Sequence, residues 1–186
     1  MSIENGRWVP GIGDPTVLGW VTVAVYFIVA LVCLKAVFNE QSDRKLKTFW
    51  LILTFFLIAL GINKQLDLHT LFTQIGRNIA LEQGWYKDRR TVQAGFIIII
   101  GLTGVTFLTF LIKIYHDTSS SVKIALTGCV ILFAFILIRA SSFNHIEIFI
   151  NLEFIGIKLN WLLELSGLVV IGVGAYRYTT HQKIPQ

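Results

Sequence analysis

Five stretches of this chain are long and apolar enough to cross a bilayer, and polar segments separate them: residues 15–38, 47–64, 92–115, 122–140 and 159–178. A bilayer core takes about 20 residues of helix, somewhat fewer where flanking Lys or Arg side chains snorkel. The second stretch is the shortest, and Lys47 and Lys64 at its ends extend its reach. Lipid offers no hydrogen-bond partners to backbone amides, so stretches of this length are expected to be helices. The expected fold class is an all-α integral membrane protein, one membrane domain over residues 1–186, with five transmembrane helices in a bundle.

Helices in lipid associate through small residues and polar contacts, so each span should carry one stripe of these along its length. At 100° per residue the first aligns Gly19, Thr22, Tyr26, Ala30 and Cys33, and the second Thr54, Gly61 and Gln65. The third is the least regular: Ala94, Gly101 and Thr109 align, with Val105 between them and Gly104 at the edge. The fourth aligns Ala125, Gly128, Leu132 and Arg139, and the fifth Asn160, Glu164, Gly167 and Gly174. These stripes predict which face of each span turns into the bundle.

Two segments between spans have patterns of their own. Over 67–83 the apolar residues Leu68, Leu71, Phe72, Ile75 and Ile79 recur at helical spacing, opposite His69, Thr73 and Arg77. This predicts an amphipathic interfacial helix between spans two and three, ended near Gly84. From Ile146 to Phe154 the even positions are all apolar and the odd ones mostly polar, with Phe149 the exception. That alternation argues for extended backbone, with a hairpin or an interfacial helix as alternatives. Asp14 and Pro15 suit a helix start, with Asp14 as N-cap and the ring at the first helical position. The residues ahead of them do not read as a cleaved signal peptide.

Composition agrees with a membrane location: 54% of the chain is hydrophobic, 15% is charged and the mean hydropathy is +0.68. Charge sets the expected orientation. Arg7 alone precedes the first span, whereas Lys35, Arg44, Lys45 and Lys47 follow it, so the positive-inside rule places the N-terminus outside and the C-terminus in the cytoplasm of a cell membrane. The same excess of base does not indicate nucleic acid, because the charges flank spans and are not interleaved with stacking aromatics. Trp8, Trp20, Trp85 and Trp161 fall near the outer boundary and Trp50 near the inner, the expected belt of a multi-pass protein. Cys33 and Cys129 lie inside spans and suit small apolar packing roles.

Candidate chemistry gathers on the outer side. An ionisable residue inside a span is costly and therefore a candidate functional group. Glu164 lies inside span five, Arg139 at the outer end of span four is its expected partner, and Asn160 and His145 are expected to join them. Glu147, Asp67, His69 and Arg77 complete the polar set on that side. Asp67, His69, His145 and Glu147 are types that ligate Zn or Fe. No metal is expected, because Asp67 and His69 point about 200° apart on one helix. No dinucleotide fingerprint, P-loop, nucleophile elbow or Cys pair at metal spacing occurs, and the chain identifies no cofactor. The expected partners are membrane lipids and other membrane protein subunits. The favoured function is an accessory or scaffolding subunit of a larger membrane assembly. The alternative is a small membrane enzyme, with or without metal assistance, acting on a lipid or other apolar substrate at the outer leaflet.

Overall fold

The computed structural model describes residues 3–4, 7–8, 14–39, 43–66, 68–84, 89–141, 153–154 and 157–181. Six helices account for most of them: α1 Val17–Val37, α2 Arg44–Leu66, α3 Leu68–Glu82, α4 Arg89–Tyr115, α5 Ser120–Ser141 and α6 Leu159–His181. Four are long and apolar enough to cross a membrane: α1, α2, α4 over Ile98–Tyr115 and α5 over Ser120–Arg139. Two short antiparallel pairings accompany them, β1 Ile3–Glu4 with β2 Arg7–Trp8, and β3 Glu153–Phe154 with β4 Ile157–Lys158. The described end of the alternating 146–154 segment is thus one arm of a hairpin, with Glu153 opposite Lys158. Residues 146–152 lie outside the described set.

The start of α1 corrects the expected cap. Thr16, not Asp14, is the N-cap, and its hydroxyl accepts from the Gly19 amide at 3.0 Å. Asp14 acts one step earlier, its carboxylate accepting from the Thr16 amide at 3.2 Å and from the Thr16 hydroxyl at 2.6 Å. Pro15 therefore precedes the helix. Gly19 is required here, since a Cβ would run into the Asp14 carboxyl group.

The helices pack in the order α2, α1, α6, α5, α4. The small-residue stripes explain the sequence of contacts. On α1 all five stripe residues, Gly19, Thr22, Tyr26, Ala30 and Cys33, are buried. The α5–α6 seam is the closest: a Cβ at Gly128 would lie 2.7 Å from the Ile171 backbone nitrogen, and one at Gly174 2.7 Å from the Ala125 nitrogen. Backbones can come this near only where side chains are absent. The buried hydroxyls on the stripes cost little, because Thr22 donates to the Leu18 carbonyl and Thr54 to the Trp50 carbonyl, each at 2.8 Å.

Helix α4 keeps only part of its predicted stripe. Gly101 faces Leu137, and Gly104 at the stripe's edge makes room for the Phe133 ring, whereas Val105 and Thr109 are exposed. At the Lys35 end of the bundle, aromatic rings join α2 to α4 and α6. Phe49 packs at a tilt against Tyr115 with centroids 4.9 Å apart, Trp50 likewise against Tyr178 at 5.2 Å, and the Tyr115 hydroxyl donates to the Lys45 carbonyl at 3.1 Å. Trp50 is therefore fully buried in the core, not a member of an interfacial belt. Its place between α2 and α6 outweighs the tendency of Trp to sit at the membrane boundary. Cys33 and Cys129 are buried free thiols in the same core.

Helix α3 follows α2 directly and ends where expected, with Gly84 at φ 77° in the left-handed region. Ile75 and Ile79 on its apolar face are exposed, Ala80 is buried, and β2 lies against the helix.

Candidate functional site

At the end of the bundle opposite Lys35, three side chains from three helices meet around one carboxylate. Glu164 Oε2 accepts from Lys64 Nζ at 2.7 Å, and Glu164 Oε1 accepts from the Tyr26 hydroxyl at 3.1 Å. The two charged side chains are 4% and 2% exposed. An ion pair at this depth costs desolvation of both charges, which their attraction and the tyrosine hydrogen bond offset.

Local geometry brings the three together. Side chains on a helix lean toward its N-terminus. Lys64 lies near the C-terminal end of α2 and so leans back into the bundle, while Glu164 and Tyr26, on helices of opposite direction, lean out toward the Glu164 end. Gly61, one turn below Lys64, lets α2 approach α1: a Cβ there would lie 3.1 Å from the Tyr26 Cβ. On α6, Gly167 sits one turn below Glu164, where a Cβ would lie 3.1 Å from the Leu132 nitrogen of α5. The carboxylate is thereby drawn into the middle of the helix row, between α1 and α5.

This arrangement corrects the expected pairing of Glu164 with Arg139. The Arg139 side chain is exposed and forms no salt bridge with Glu164. The stripe on α5 holds through Ala125, Gly128 and Leu132 but does not carry the guanidinium inward. Lys64 was legible only as a polar residue at a span end, and Tyr26 only as part of the α1 stripe. The leaning direction of Lys64 is the signal that points it into the bundle.

The other candidates are dispersed. Arg77 is exposed on α3. Asn160 and His69 lie on α6 and α3, in positions whose side chains are outside the described set, as are Asp67, His145 and Glu147 altogether. The possible metal set rests entirely on those side chains, and among the described residues no group of three or more His, Cys, Asp or Glu is placed to hold an ion. Gln65, next to Lys64, is a further polar residue of this end: both atoms of its amide are buried without a hydrogen-bond partner among the described residues.

What the arrangement does chemically follows from its pairing. Each carboxylate oxygen of Glu164 holds one donor, and the pair is neutral as a unit. Such a unit ties α1, α2 and α6 together and fixes their register at this end. No protein family model, curated protein or solved structure matches the chain.

Proposed function

We propose that this chain is a five-span accessory or scaffolding subunit of a larger membrane assembly. In that arrangement α6 is the fifth span, α3 lies along the outer interface, the N-terminus is outside and the C-terminus is cytoplasmic. The length of α6, 23 residues, and its position between α1 and α5 support the fifth span. Exposure of Ile75 and Ile79 on α3 supports contact of its apolar face with lipid.

The observation that carries the scaffolding role is the uneven packing of α4. Over Ile98–Tyr115 only 6% of positions are buried, against 33–39% in the other three candidate spans. Lipid tails are as apolar as Leu, so helices associate in a membrane by close packing and not by escape from solvent. A span so thinly packed in its own chain is the natural place for the apolar transmembrane helix of another subunit. The alternative, an enzyme working at the Glu164 end, has less support, because both oxygens of the best candidate carboxylate are already held within the chain.

The test is photo-cross-linking in native membranes combined with native mass spectrometry in mild detergent. A photoreactive residue at Phe110, exposed on α4, should yield one discrete heterologous adduct that also co-purifies at fixed stoichiometry. The same residue at Phe55, exposed on α2, should yield lipid adducts only. A monomer with lipid adducts at both positions overturns the reading, and an adduct of twice the chain's mass replaces it with self-association.

A further inference from the structure

We infer that the outward face of α1 near Lys35 is a seat for an anionic phospholipid, with one acyl chain in an apolar groove and the headgroup phosphate on the Lys35 ammonium. The inference uses the membrane location of α1 and is independent of the scaffolding role.

The groove has a volume of about 420 Å³ and is lined by Ile28, Leu31, Val32, Leu34, Lys35 and Phe38. Five of these six side chains are apolar, and the sixth carries the charge. From Ile28 to Phe38 the groove follows ten residues of helix, about 15 Å at 1.5 Å per residue. That is half of a hydrocarbon core roughly 30 Å thick, the depth of one leaflet. Lys35 lies in the last turn of α1, so its ammonium sits at the mouth of the groove at headgroup level.

Charge selects the kind of lipid. Lys35 is exposed and forms no salt bridge among the described residues. Arg44, Lys45 and Lys47 follow at the start of α2, with Asp43 the described acid beside them. A phosphate here meets an ammonium with no salt bridge among the described residues, near the further positive charge of Arg44, Lys45 and Lys47. Choline or ethanolamine headgroups bring a cation of their own into that field, whereas a glycerol headgroup leaves the net negative charge intact.

The experiment is native mass spectrometry of the full chain, purified in mild detergent and titrated with phosphatidylglycerol or with phosphatidylcholine of identical acyl chains. Phosphatidylglycerol should be retained severalfold better, and Lys35→Gln should lower its retention on the order of fivefold, the effect of one basic side chain near a lipid surface. Val32→Phe, which fills the groove without touching charge, should lower retention of both lipids. Lys113→Gln, at the same end of the bundle but on α4, should leave retention unchanged. Each variant is compared at an unaltered thermal midpoint, which Lys35→Gln should preserve because its side chain is exposed. Equal retention of the two lipids by the unmodified chain overturns the inference. So does an equal loss in Lys113→Gln, which would mean diffuse surface charge, or displacement by millimolar inorganic phosphate, which would mean a phosphate site with no use for the acyl chain.

Discussion

Lys64 and Glu164 are one hundred residues apart in the chain and 2.7 Å apart in the bundle, a contact that ties the end of α2 to the beginning of α6. Neither helix needs the other for its own hydrogen bonds. The pair therefore acts on register and neighbour choice more than on helix formation. A buried charge accepts few substitutes, so a misaligned pairing of these helices would leave it uncompensated.

Removing one partner should expose that dependence. Lys64→Met and Glu164→Gln should each destabilise the purified protein by about 3–5 kcal/mol, and the double mutant should recover much of the loss. Thermal unfolding of the four proteins in one detergent measures the cycle. A second cycle with Arg139→Met and Glu164→Gln should be close to additive. Strong coupling in the second and none in the first would restore Arg139 as the partner.

Tyr26→Phe keeps the ring and deletes one hydrogen bond to a charged acceptor, a loss of about 1.5–3 kcal/mol. The expected fall in thermal midpoint is smaller than for Lys64→Met. In the background of Glu164→Gln the same change should cost less, because the acceptor is then uncharged. A change that is equally costly in both backgrounds would place the tyrosine's contribution in ring packing alone.

Close approach at the α5–α6 seam predicts a contrast between glycines. Gly128→Ala and Gly174→Ala each set a methyl group 2.7 Å from backbone atoms of the facing helix, which must move apart, at about 1–3 kcal/mol. Gly76→Ala in α3 meets nothing within 4 Å and should be neutral or stabilising by up to about 1 kcal/mol. Chemical or thermal unfolding of the three variants ranks them. Equal effects would mean that the seam is looser than the backbone positions require.

Orientation is checked by single cysteines at Asp43 and Gln83, both exposed, in a background lacking Cys33 and Cys129. An impermeant thiol reagent on intact cells should label Gln83→Cys and spare Asp43→Cys. The reverse pattern inverts the proposed topology without disturbing the bundle.

For α3, the substitution Ile75→Asp separates lipid contact from protein contact. Ile75 is 45% exposed within the chain, so in a detergent with a thin apolar shell the change should be mild. In bilayer nanodiscs it should cost about 1–3 kcal/mol as apolar burial against lipid is lost. Hydrogen exchange over α3 in the two media reports the difference, and equal protection in both removes α3 from the interface.

Much of the architecture was legible from local pattern because a membrane leaves the backbone few options. Long apolar stretches marked α1, α2, α4 and α5, the 3.6-residue recurrence of apolar positions marked α3, and small-residue stripes marked the inward faces of α1, α5 and α6. Each of these is a property of one segment in one environment. Pattern failed where two segments had to be related. Arg139 and Glu164 both lie on stripes expected to face inward, yet it was the order α2, α1, α6, α5, α4 and the lean of Lys64 that decided which cation reached the carboxylate. Trp50 likewise had the chemistry of a boundary residue, and only its packing against Tyr178 placed it in the core. Periodicity determines which face of a helix is turned inward. Which neighbour waits there depends on backbone approach at particular glycines and on side-chain reach between helices, quantities that exist only once the bundle has formed.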